Sequence, residues 1–156
     1  MDDGDITMTT YDELNTQNHN ITELSNVLSR LVVDREMCDT KICCELFYRY
    51  VEKVTEHLNL VDKSYSILLS SSDQKAAGVA NQFMAGAQEL KRIFTQYQKR
   101  WCAPKNKSHA LKVTNHEQFY KEIDELFTMV LKRIQDETEK LYPLIRELTG
   151  DMEGVT

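Results

Sequence analysis

Residues 41–69, KICCELFYRYVEKVTEHLNLVDKSYSILL, decide how the rest of the chain is read. The stretch contains no Gly or Pro, and Cys43, Leu46, Phe47, Tyr50, Val54, Leu58, Val61, Tyr65 and Leu68 recur at helical spacing. That periodicity predicts one long amphipathic helix. At 1.5 Å per residue it would reach roughly 43 Å, a length a compact domain holds only when other long helices lie alongside. One polar residue, His57, breaks into the apolar stripe and marks the first layer to examine for function.

The neighbouring segments supply those helices. Leu14, Ile21, Leu24, Leu28 and Leu31 share one side of a helix expected over 10–35. A short joint follows, with Asp39 or Thr40 as the N-cap of the second helix. Ser70, Ser71, Ser72 and Asp73 end that helix and cap a third over 74–101, striped by Ala76, Phe83, Ala87, Leu90, Phe94, Tyr97 and Trp101. Pro104 lies in the break after it. Thr114 with Glu117 three residues on forms a capping box for a fourth helix, whose stripe runs from Phe119 through Ile123, Phe127, Val130 and Ile134 to Leu141, Leu144, Ile145 and Leu148. Gly150 terminates it. Four long helices with short joints predict an all-α protein, an antiparallel up-down-up-down four-helix bundle over 11–150, with flexible tails at 1–10 and 151–156.

Composition narrows the function classes. The 156 residues make one domain able to bury a core. A net charge of −6 argues against nucleic acid as a partner. No apolar run approaches a membrane span, and MDDGDITMTT lacks the basic-then-apolar order of a signal peptide. The expected location is the cytoplasm. The four cysteines, two of them adjacent, fit reduced thiols better than a disulfide framework.

Helical geometry sorts the polar residues by face. At about 100° per residue, His57 and Glu137 fall within the apolar stripes, Asp62 lies at a stripe edge, and Arg133 lies on a flank with its stem free to reach water. In the first helix His19 points away, whereas Gln17 and Asn18 lie on or beside the stripe. The expected topology puts Gln17 or Asn18, His57, Ala87 and Glu137 at one level. A buried hydrogen-bonded pair of His57 and Glu137 is the simplest expectation, since a buried ionised group needs a partner.

HLNLVD late in the second helix and RIQDETEKLYPLI late in the fourth resemble the hemerythrin-like (HHE cation-binding) domains, over most of 12–148. The resemblance implies a non-haem di-iron centre held by histidines from all four helices and two carboxylates. His57 stands at the helix-two histidine, Val61 where a glutamate is expected, and Asp62 beside it. The helix-three histidines are replaced by Phe83 and Ala87, Arg133 stands at the helix-four histidine, and Glu137 at its following carboxylate. The first-helix histidine is His19 or is replaced by Asn18. Loss of ligands with retention of the bundle also resembles, at the level of fold, the anti-sigma regulators that bind the housekeeping sigma factor.

Two readings follow from that resemblance. In the first, the metal centre has decayed, no cofactor is bound, and the protein is a non-enzymatic interaction or regulatory module with a protein partner. In the second, it is an iron-binding sensor or carrier using His57 and Glu137, with Asn18, Asp62 and His19 as further candidates. A separate redox or zinc site is open at one end, where Cys38, Cys43 and Cys44 approach Cys102 and His109. No cysteine pairs with a convincing base, so an enzyme is not expected. Ile93 and Met129, off the main stripes, leave self-association open.

Overall fold

The computed structural model describes residues 3–38, 40–101 and 115–149, and every element among them is helical. The chain is all-α. Helix α1 spans Asp3–Val32, α2 Arg35–Cys38, α3 Lys41–Asp62, α4 Tyr65–Leu69, α5 Gln74–Trp101, α6 His116–Asp136 and α7 Tyr142–Thr149, with a π-turn over Glu137–Leu141 between the last two. Helix α1 thus starts seven residues before the expected position, within the stretch read as a tail. Among the described residues, no helix is long and apolar enough to cross a membrane.

Three further differences from the sequence reading each have a local reason. The 41–69 segment is two helices rather than one. At the break, the Ser64 hydroxyl donates to Val61 O at 2.6 Å and its N–H bonds to the same carbonyl at 2.9 Å, the side-chain competition that makes serine a poor helix-interior residue. Thr40 is the N-cap of α3, its hydroxyl accepting from Cys43 N; Asp39 lies outside the described residues. Asn115 caps α6, accepting from Gln118 N at 3.1 Å, one residue after the expected Thr114, which also lies outside them, as do Gly150 and the 151–156 tail.

The third difference is the π-turn. Pro143 has no N–H, and its ring excludes the carbonyl four residues earlier, that of Glu139. The backbone widens instead, and Tyr142 N–H bonds to Glu137 O, five residues back.

The apolar stripes pack into two clusters. The larger holds Ile21, Leu28 and Val32 of α1, Phe47, Tyr50 and Val54 of α3, Leu90, Phe94 and Trp101 of α5, and Phe119, Ile123 and Phe127 of α6. Its aromatic end is tight: the Trp101 and Phe119 rings meet edge-on at 5.4 Å, Phe47 lies 5.6 Å from Tyr97, and Tyr50 lies 5.0 Å from Phe127. Contacts of this kind add to simple area burial. The smaller cluster joins Leu14, Val61, Tyr65, Leu68, Ala80 and Phe83 to Leu141, Tyr142 and Ile145. Along every long segment, the residues of one cluster give way to those of the other at one level. At that level sit the buried polar side chains Asn18, His57 and Glu137.

A buried polar layer as the candidate functional site

Glu137 is the centre of this layer and is fully buried. Its Oε1 accepts from His57 Nε2 at 2.6 Å and from the Tyr142 hydroxyl at 2.9 Å, and its Oε2 accepts from Arg133 Nε at 2.8 Å. Each of those partners is held in turn. His57 Nδ1 lies 2.9 Å from Gln17 Oε1, and Asn18 Nδ2 donates to Tyr142 Oη at 2.8 Å. Arg133 Nη1 donates to the Phe83 carbonyl and Nη2 to Tyr65 Oη, both at 2.8 Å, while its guanidinium lies 4.8 Å from the centre of the Phe83 ring. Six helices and the π-turn therefore meet in one connected network.

Local sequence explains why these side chains converge. Arg133 and Glu137 are one helical turn apart, the spacing at which side chains face each other. Residues five apart, such as Glu137 and Tyr142, would stand about 140° apart on an α-helix. The π-turn forced by Pro143 removes that divergence and brings both to the same side. Gly86 clears room on α5: a Cβ there would stand 3.1 Å from Arg133 Nη1.

The electrostatics follow from burial set against partners. Burial works to raise the Glu137 carboxyl, but the hydrogen bond and charge of His57, with those of Arg133, outweigh it and hold the group below the usual carboxylate range. Burial pushes the Tyr142 hydroxyl well up, and the adjacent Glu137 carboxylate pushes the same way. Burial likewise raises Tyr65, against the opposing pull of Arg133. Both ring nitrogens of His57 face oxygens, so a doubly protonated ring satisfies both; a neutral ring needs the Gln17 amide turned over.

The sequence-predicted residues separate clearly. His57, Glu137, Asn18 and Gln17 come together. Asp62 is exposed, and His19 is exposed and bonded to Glu23 at 3.1 Å; neither reaches the layer. Arg133 is the correction: its side chain is only 10% exposed and turns inward instead of reaching water. Tyr142 and Tyr65 were missing from the predicted layer. Pro143 inside a helical pattern was the available signal for Tyr142. Ala87 is buried at this level without joining the network, and α5 contributes the Phe83 carbonyl and ring instead.

These residues do not fit the di-iron centre that the hemerythrin resemblance implies. Such a centre needs bridging carboxylates and several nitrogen ligands in one shell. Here one imidazole and one carboxylate face each other, both carboxylate oxygens are taken by N–H and O–H donors, and a guanidinium occupies the place of a ligand. Among the described residues, no three or more His, Cys, Asp or Glu side chains are grouped to hold a metal ion.

At the other candidate site, Cys38, Cys43 and Cys44 are buried. The Cys38 thiol donates to Arg35 O at 3.1 Å. Burial and the nearby Glu45 raise Cys44, which disfavours the reactive thiolate. Cys102 and His109 lie outside the described residues. Comparison with protein-family models, with curated proteins and with solved structures finds no match for this chain in any of the three.

Proposed function

We propose that the chain is a non-enzymatic protein-interaction or regulatory module, an antiparallel up-down-up-down four-helix bundle of hemerythrin-like type in which an ion-pair layer stands where a metal centre would be. Contacts between segment ends support the arrangement. His116 Nε2 at the start of α6 donates to Val32 O at the end of α1, and Arg100 at the end of α5 meets Glu122 near the start of α6. Phe47 early in α3 stacks near Tyr97 late in α5.

The observation that carries the functional reading is the Arg133 guanidinium on Glu137 Oε2. A fixed positive charge on the only buried carboxylate of the layer repels a second cation and completes the carboxylate's charge balance without one. Glu137 and His57 are almost wholly withdrawn from solvent and committed to partners, which leaves neither open to a substrate. Exposed apolar residues around the first joint, Val33, Met37 and Ile42, offer surface for a protein partner or a second copy.

Metal content tests the proposal. Protein purified without chelator, offered ferrous iron without oxygen and then desalted, is expected to carry well below one equivalent of metal by mass spectrometry. Two irons per chain with charge-transfer absorbance would overturn it. So would one equivalent that disappears in a His57→Ala variant, which would make the protein an iron-binding sensor or carrier.

A further inference from the structure

Where α5 meets α6, a groove of about 300 Å³ opens on the surface beside the polar layer. That volume is at the small end of ligand pockets. Phe83, Leu90, Ile93 and Met129 make its lining apolar, and Gly86 leaves it open beside the tip of Arg133. A guanidinium has five N–H donors. Glu137, the Phe83 carbonyl and Tyr65 take three, and the remaining two have no partner among the described residues although the side chain is nine-tenths buried. The Nη1 end of this guanidinium stands beside Gly86 at the groove, so a donor there is open to a group that enters it.

The charges around the groove point the same way. Its lining carries three cations, Lys132, Arg133 and Lys140, against two anions, Glu89 and Asp136, a balance of +1 in a chain of net charge −6. Glu89 is tied to Arg92, outside the lining. Lys132 and Lys140 are largely exposed and both reach only Asp136, at 3.3 and 3.9 Å. Exposed pairs of that kind hold weakly and are readily exchanged. A planar, singly charged head matches both the guanidinium edge and the +1 balance, and a short apolar tail matches the walls.

We infer that this groove binds a small carboxylate with an apolar tail, of the class of a medium-chain fatty acid. The head sits on the open Arg133 donors and the two lysines, and the tail lies on Phe83, Leu90, Ile93 and Met129. The site is separate from the interaction reading above and does not depend on it.

Octanoate is the probe, titrated into the whole chain and followed by proton–nitrogen NMR, with 1-octanol as the uncharged control. The expected result is saturable binding of one octanoate per chain, with a shift of the Arg133 Nε–H signal. Met129→Glu, an exposed position, puts a like charge on the tail wall and is expected to weaken binding about tenfold or more. Lys132→Gln with Lys140→Gln is expected to weaken it several-fold. Absence of saturable binding, 1-octanol binding as tightly, or an unchanged affinity in a folded Met129→Glu variant would overturn the inference.

Discussion

Replacing Glu137 with alanine is expected to destabilise the fold by about 3–5 kcal/mol at neutral pH, the usual cost of breaking a buried ion pair by removing one partner. The carboxylate accepts three hydrogen bonds, from His57, Tyr142 and Arg133. Its loss strands three hydrogen-donating groups in a site largely withdrawn from solvent. Urea denaturation at neutral pH measures the effect. The variant should also lose a specific acid sensitivity. The folded-state carboxyl titrates below its ordinary value near 4.5, so its stabilising contribution is complete above that value. It is lost as pH falls through the folded value. The gap in stability between the native chain and Glu137→Ala should therefore narrow in acid. A gap that stays constant from neutral pH into strong acid would show that the carboxylate charge contributes nothing.

Phe119→Ala is expected to cost a similar amount, about 3–5 kcal/mol, from lost burial and the cavity left behind. Phe119 is fully buried against Trp101 and Tyr97 at the aromatic end of the larger cluster. Its loss involves no proton, so the deficit should not narrow in acid. The two variants together separate the polar layer from the apolar core by their pH dependence, with denaturant midpoints as the common readout. A Phe119→Ala deficit below about 1 kcal/mol would mean that this end of the core collapses readily around the gap.

The residues that the sequence made legible were those governed by unbroken helical periodicity. His57 falls at an inward position of α3, and no irregularity lies between it and the start of that helix. The same regularity pointed His19 outward and Asn18 inward, and the structure agrees on both. The place of Arg133 on a stripe flank is compatible with either direction. What turns it inward is the partner one turn on, Glu137, together with the space that Gly86 leaves on another helix. The first of these is visible in the sequence, whereas the second appears only when α5 and α6 are packed.

Tyr142 was missed for a different reason. The fourth apolar stripe continues through Pro143 at constant pitch in the sequence, and the π-turn changes the register there. Leu148, counted as part of that stripe, is correspondingly 37% exposed. The break at Ser64 has the same character: a polar residue that bonds its own backbone interrupts a pattern whose apolar spacing continues beyond it. All-helical structure is robust to such events because each remains within the helical repertoire. Site geometry is not, because a shift of one residue rotates every later side chain by about 100°.

An ionised Glu137 carboxylate, held by His57 and Arg133, organises the buried layer. The most direct measurement is the pH titration of the Glu137 side-chain carboxyl carbon by NMR in the folded protein. The predicted result is a carboxylate that stays ionised as pH falls past about 4.5 and protonates only below that value. The His57→Gln variant should move its titration upward, because the imidazole's charge and its hydrogen bond, which offset burial, are gone. A carboxyl that titrates above the ordinary range in the native chain, or one indifferent to His57, would contradict the ion-pair layer.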